Sequence, residues 1–299
     1  LYLCLGGIGF TLGRGQVNVL VVWLAAGLFA AAVRGRAVAA GVWLAAAVCL
    51  KVIPAYLALF NLVRGEWKAA LGLLAGSAVL LGVVPALAWG PGQVVPLNRT
   101  MLEAVIAPGV FGTGDQTRAK ELTEATSTDS QSFQAAAHNL LHPDKATRPT
   151  AFDRRAKLFH LGMVGLLSAG TAAAGWRGRR AGPAGQLVFF GCVTAVMLLA
   201  SPISHMHYYA FGLPLAAGLW LRELERRPGA AVAGGPGVWA LVAWAVLTTL
   251  PLLPGWPFDQ AREYGLGVAA TVGLWAVGAW LTGTGPASAS RSPPCGPPG

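Results

Sequence analysis

Apolar residues run along this chain in long uninterrupted blocks, separated by short polar clusters that are mostly basic. The blocks cover residues 17–33, 37–63, 69–89, 158–176, 184–200, 209–221, 238–253 and 265–281, and residues 1–12 end another. Blocks of this length and apolarity predict membrane-spanning helices rather than strands, because about 20 residues of helix cross a hydrocarbon core. The expected fold class is all-α: a polytopic transmembrane helical bundle with short or broken helices and one long external loop.

The polar clusters orient the blocks. Arg34 and Arg36 close one span, Arg177, Arg179 and Arg180 another, and Arg222, Arg226 and Arg227 a third. Basic residues favour the cytoplasmic side of short loops. Gln16 and Asn18 then fall outside, with Arg14 as an exception to the rule. Block 37–63 is awkward, since it contains Lys51 and Pro54. A lysine near mid-bilayer costs about 2.5–3.5 kcal/mol on insertion scales, and proline removes a helical hydrogen bond. Two readings are open: a single kinked helix with Lys51 reaching an interface, or a broken hairpin turning at Lys51-Val52-Ile53-Pro54. The hairpin puts Arg64 and Lys68 on the same side as Arg34 and Arg36, and is carried forward.

Residues 90–155 form the longest hydrophilic stretch and hold seven of the twelve acidic residues. Within it, residues 131–141 have helical spacing, with Phe133, Ala137, Leu140 and Leu141 able to share a face. Two domains are expected: an integral membrane unit over 1–282, and a Pro/Gly/Ser-rich tail over 283–299 whose composition cannot build a core.

Composition sharpens this picture. Hydrophobic residues make up 55% of the chain, charged residues 11%, and mean hydropathy is +0.56. A soluble domain carries about 25% charged residues. The net charge of +10 is dispersed between spans rather than gathered on one face with aromatic platforms, so nucleic acid is not an expected partner. Cys4, Cys49, Cys192 and Cys295 are scattered without metal-ligand spacing, and neither a zinc site nor a disulfide framework is expected. The chain starts at Leu1, within an apolar stretch; the expectation is a helix whose beginning lies upstream.

Chemistry concentrates at Ser201-Pro202-Ile203-Ser204-His205-Met206-His207-Tyr208-Tyr209, which carries two of the five histidines between two apolar blocks. Ionisable groups at a bilayer boundary are functional candidates; their structural alternative is anchoring of helix ends. The topology puts this stretch, Gln16/Asn18, the Lys51 break and residues 131–142 on one side of the membrane. A His-x-His pair without a third ligand argues against a metal site.

Gly15-Gln16-Val17-Asn18, Ala40-Gly41 leading into Lys51-Val52-Ile53-Pro54, Gln131-Ser132-Phe133, and Ser201-Pro202-Ile203-Ser204 with His207 together resemble glycosyltransferase family 87, over roughly residues 10–220. His205 stands where the family pattern carries Trp, Tyr208 stands where it carries a second His, and Asn139 stands where it carries Arg. The resemblance implies a bundle of GT-C type that transfers a hexose, mannose first among them. The donor would be a polyprenyl-phosphate sugar and the acceptor an envelope glycolipid or glycan, at the outer face of a bacterial plasma membrane, with no cofactor. It further implies His207 and His205 as catalytic candidates, and Lys51, Gln16, Asn18, Gln131 and Ser132 as donor- or phosphate-binding ones. For Asn18 and Ser132, helix capping and interhelical hydrogen bonding remain equal alternatives. The base is expected in a carboxylate upstream of Leu1, with Asp115 and Asp129 as the fall-back. A transporter or flippase, or an inactive truncated transferase, stands as the competing reading.

Overall fold

In the computed structural model, which describes residues 5–13, 15–107, 130–226 and 234–283, the chain is a bundle of helices. Among the described residues the only strand-like pairing is an isolated antiparallel bridge between Ser130 and His205. Arg14, Asp115, Asp129 and residues 284–299 lie outside the described residues, and Thr282 and Gly283 still belong to the last helix.

The N-terminal half contains α1 (Leu5–Gly13), α2 (Asn18–Val33), α3 (Ala37–Leu50), a 3₁₀ turn (Ile53–Leu57), and α4 (Ala58–Val63). A long span follows, Lys68–Trp89, built from α5 (Lys68–Ala78), a π turn (Val79–Val83) and α6 (Val84–Trp89). After it come α7 (Val94–Met101), α8 (Phe133–Leu141), α9 (Arg154–Arg177), α10 (Pro183–Ala200), α11 (Leu213–Arg226), α12 (Pro236–Thr249), α13 (Trp256–Glu263) and α14 (Leu266–Gly283). Four of these helices are long and apolar enough to span a membrane, and a fifth span results if the bent pair Pro236–Leu252 and Trp256–Glu263 is one. The protein is a multi-pass membrane protein.

The central post is α10. Fifteen of its eighteen residues are buried, whereas the other spans leave wide apolar faces outward. This is the pattern of a bundle whose solvent is lipid, where only the innermost helix is covered by protein on all sides. Phe60 of α4 packs against Phe189 (5.3 Å, tilted) and Phe190 (5.0 Å, edge-on) of α10, and Phe29 of α2 closes the cluster. Six exposed tryptophans sit near span ends: Trp67, Trp176, Trp239 and Trp280 on the side of the basic clusters, Trp89 and Trp256 on the other. Indoles favour such interfacial positions.

The break at residues 51–54 is a return turn. Lys51, at the end of α3, bonds Asn18 at the start of α2, with Nζ 2.8 Å from Oδ1. Arg64, after α4, donates to the carbonyl of Ala32 at the other end of α2 (3.2 Å) and to Gln186 Oε1 at the start of α10 (2.8 Å). The chain therefore climbs through α3 and comes back through the 3₁₀ turn and α4. Packing of α3 on α5 gives the same direction. A Cβ on Gly41 would meet the Ala69 carbonyl oxygen at 1.9 Å, and one on Gly72 would meet that of Val38 at 1.9 Å. Only glycines allow the two helices to approach this closely and run parallel.

The stretch after Trp89 differs from the expected open loop. Gly90 turns at φ 91°, and α7 folds back with Asn98 Nδ2 on the Leu81 carbonyl at 2.8 Å. The π turn at 79–83 alters the usual carbonyl pairing there, which suits an external side-chain donor.

Candidate functional site

After Ala200 the helix α10 cannot continue, because Pro202 lacks an N–H and disfavours helical geometry at Ser201 before it. Ser201 is extended (φ −66°, ψ 125°), as is His205 (φ −85°, ψ 161°), before a 3₁₀ turn over Met206–Gly212 leads into α11. The exposed edge of this short extended segment is met by residues 130–132. Gln131 N–H donates to the Ser204 carbonyl at 2.5 Å, and Ser204 N–H points to Ser130 Oγ at 3.4 Å. Ser132 Oγ donates to the Pro202 carbonyl at 2.7 Å and accepts from Ala135 N at 3.1 Å, which makes it the N-cap of α8.

Gln131 is buried, and its carboxamide is taken up by protein. Nε2 donates to the Arg262 carbonyl, and Oε1 accepts from Gly267 N at 3.2 Å. Asn139 Nδ2 adds a bond to the Glu263 carbonyl at 2.7 Å. The segment 130–141 thus joins the histidine stretch to the turn between α12 and α14. Glu263 itself is buried between Arg148, which donates to Oε1, and Lys145, 2.8 Å from Oε2. Burial alone would raise its carboxyl pKa, but the hydrogen bonds from Lys145 and Arg148 prevail and hold it below the usual carboxylate range.

The polar heart of this end lies where three helix breaks converge. Asn18, fully buried at the start of α2, accepts from Lys51 Nζ and donates from Nδ2 to the His207 carbonyl at 3.1 Å. Thr11 Oγ1, at the end of α1, donates to the same carbonyl at 2.8 Å. The ammonium of Lys51 also lies over the Tyr208 ring, 3.7 Å from its centroid. The rings of His205 and His207 are stacked, 5.4 Å apart and within 17° of parallel, and Tyr208 meets His207 edge-on at 4.7 Å. Among the described residues the Lys51 charge is met by an amide oxygen and a phenol face and by no carboxylate.

The structure therefore brings together Lys51, Asn18, His205 and His207, and ties Gln131 and Ser132 to them through the backbone of 202–205. Gln16 is exposed; its backbone N–H closes a turn on the Thr11 carbonyl at 2.9 Å. Asp115 and Asp129 fall outside the described residues. Thr11 and Tyr208 were not among the expected site residues. The available signal for Thr11 was a hydroxyl seven residues before Asn18, on the far side of the same glycine-rich break.

An ammonium, an amide and a stacked imidazole pair thus meet at one helix junction. The model of glycosyltransferase family 87 matches residues 1–202. This chain belongs to glycosyltransferase family 87. It is thus a membrane glycosyltransferase, acting between a sugar donor and an acceptor. Thr11, Asn18, Lys51, Gln131 and Ser132 lie inside the matched region, which ends at Pro202; His205 and His207 lie just beyond it. No curated protein and no solved structure matches the chain.

Proposed function

We propose that this family 87 protein transfers a hexose, mannose first among them, from a polyprenyl-phosphate donor to an envelope glycolipid or glycan at the outer face of a bacterial plasma membrane. The single observation that supports this reading best is the Lys51–Asn18–His207 junction, in which Asn18 links the Lys51 ammonium to the His207 backbone carbonyl at the end opposite the basic clusters.

In the reaction an acceptor oxygen forms a bond to the anomeric carbon as the bond from that carbon to the phosphate oxygen breaks. The electron pair of the broken bond leaves on the polyprenyl phosphate, and the acceptor hydroxyl proton passes to a base. Lys51 would bind and neutralise the departing phosphate, in surroundings where a unit charge pair 4 Å apart is worth about 4 kcal/mol at an effective dielectric of 20. His207 would donate to the same phosphate or orient the acceptor hydroxyl, with His205 stacked behind it. Asn18 would hold both groups in register. Gln131 and Ser132, whose polar atoms bond protein, would act by fixing residues 202–205. Gln16, exposed at the rim, is the remaining candidate for a direct sugar contact. The base would be a carboxylate; Asp115 and Asp129, the fall-back candidates in this sequence, lie outside the described residues.

Transfer measured in nanodiscs with polyprenyl-phosphate mannose and an envelope glycolipid extract tests the reading. Loss of product on Lys51→Ala and on His207→Ala, at unchanged protein yield, is expected. Full transfer by both variants would reject the assignments. Movement of the lipid-linked sugar across the bilayer without a glycosidic product would instead favour a flippase.

A further inference from the structure

The carbonyl oxygen of His207 accepts two side-chain hydrogen bonds from two different helices, Thr11 Oγ1 at 2.8 Å and Asn18 Nδ2 at 3.1 Å. Thr11 is fully buried, in the last turn of a helix that is otherwise apolar. A lone hydroxyl there would ordinarily bond back to its own helix. This one reaches across the bundle to a residue 196 positions away. His207 sits in a 3₁₀ turn, where a bifurcated outside acceptor bond fixes the peptide plane and with it the direction of Cα–Cβ.

We infer that Thr11 is a positioning residue for His207: its hydroxyl locks the backbone from which the imidazole projects. The inference rests on the proposed role of His207 in sugar transfer. Asn18 is shared between the His207 carbonyl and Lys51, so it ties the two groups together. Thr11, arriving from the α1 side, adds a second donor to the same carbonyl. A hydroxyl whose function is geometric rather than chemical acts on kcat more than on donor KM, because the phosphate still meets Lys51.

The test uses Thr11→Val, which keeps shape and removes the hydroxyl, and Thr11→Ser, which keeps the hydroxyl. Both are assayed in nanodiscs alongside thermal unfolding. Thr11→Val should lower kcat about tenfold with donor KM within twofold of the parent, and Thr11→Ser should restore kcat to within threefold. Equal kcat for Thr11→Val and parent overturns the inference, as does an equal loss in both variants, which would mean that only the threonine methyl matters. A readout independent of turnover separates this inference from the transfer reaction itself. The ring nitrogen resonances of ¹⁵N-histidine-labelled protein, assigned with His207→Gln, should shift for His207 in Thr11→Val and return in Thr11→Ser. Unmoved resonances in Thr11→Val overturn the inference even in a chain that makes no product.

Discussion

The Lys51 ammonium lies 3.7 Å from the ring centroid of Tyr208, in the residue that follows His207. The aromatic face stabilises the charge without neutralising it, by about 0.5–2 kcal/mol. Tyr208→Phe keeps that face and should retain transfer within about threefold. Tyr208→Leu removes it and should lower transfer about tenfold, since each 1.4 kcal/mol is a factor of ten. Steady-state kinetics on the two variants decides between a role for the ring and a role for the hydroxyl.

Asn18 holds Lys51 through its oxygen and His207 through its nitrogen. Asn18→Ala leaves the half-buried Lys51 ammonium short of its amide acceptor, at about 1–3 kcal/mol, while the His207 carbonyl keeps its bond from Thr11. The melting temperature should drop and activity should vanish. Asn18→Asp sets a carboxylate against Lys51, so donor KM should rise at least tenfold while folding is retained. Thermal unfolding and donor titration read the two effects separately.

The Glu263 clamp gives a pH dependence of known sign. Its folded carboxyl pKa lies below the unfolded value, about 4.3. The stability it supplies is therefore fully present above that unfolded value and is lost as pH falls through the folded one. The melting temperature should decline as pH is lowered below about 4.3. Glu263→Gln, which leaves Arg148 buried without its counter-charge, should destabilise at neutral pH by about 3–5 kcal/mol and flatten the acid decline. Melting curves between pH 3 and 7 check both.

Gly267 admits no side chain. A Cβ there would stand 2.2 Å from Tyr209 Oη and 3.1 Å from Gln131 Oε1. Gly267→Ala should cost about 1–3 kcal/mol through overpacking and loosen the segment that pairs with His205. Faster amide exchange at Gln131 and Ser204, against an unchanged rate within α10, is the expected signature.

Much of this arrangement could be read from single stretches of sequence. Lys51 and Pro54 together announced the return turn, because neither is tolerated in an uninterrupted span. The spacing of Phe133, Ala137, Leu140 and Leu141 pointed to α8, but the residues that α8 buries are Phe133, Gln134, Ala135, His138 and Asn139, while Leu140 and Leu141 are exposed. The helix beyond Gly90 was hidden because Pro96, Asn98 and Arg99 read as loop residues, although proline is acceptable in a first helical turn. The duties of Gln131 and Thr11 were equally hidden. Each bonds a partner more than 130 positions away, and no local period encodes such a pairing. The Arg148–Glu263 pair, 115 positions apart, was invisible for the same reason. Local chemistry thus located the breaks, while the contacts that turn breaks into a site came only with the folded chain.

Binding of sugar-free polyprenyl phosphate to the purified protein in nanodiscs tests the central claim most directly, since it needs neither acceptor nor turnover. The account predicts saturable binding by the parent chain and at least tenfold weaker binding by Lys51→Gln, which removes the charge over Tyr208. Equal affinity in the parent and Lys51→Gln would contradict it.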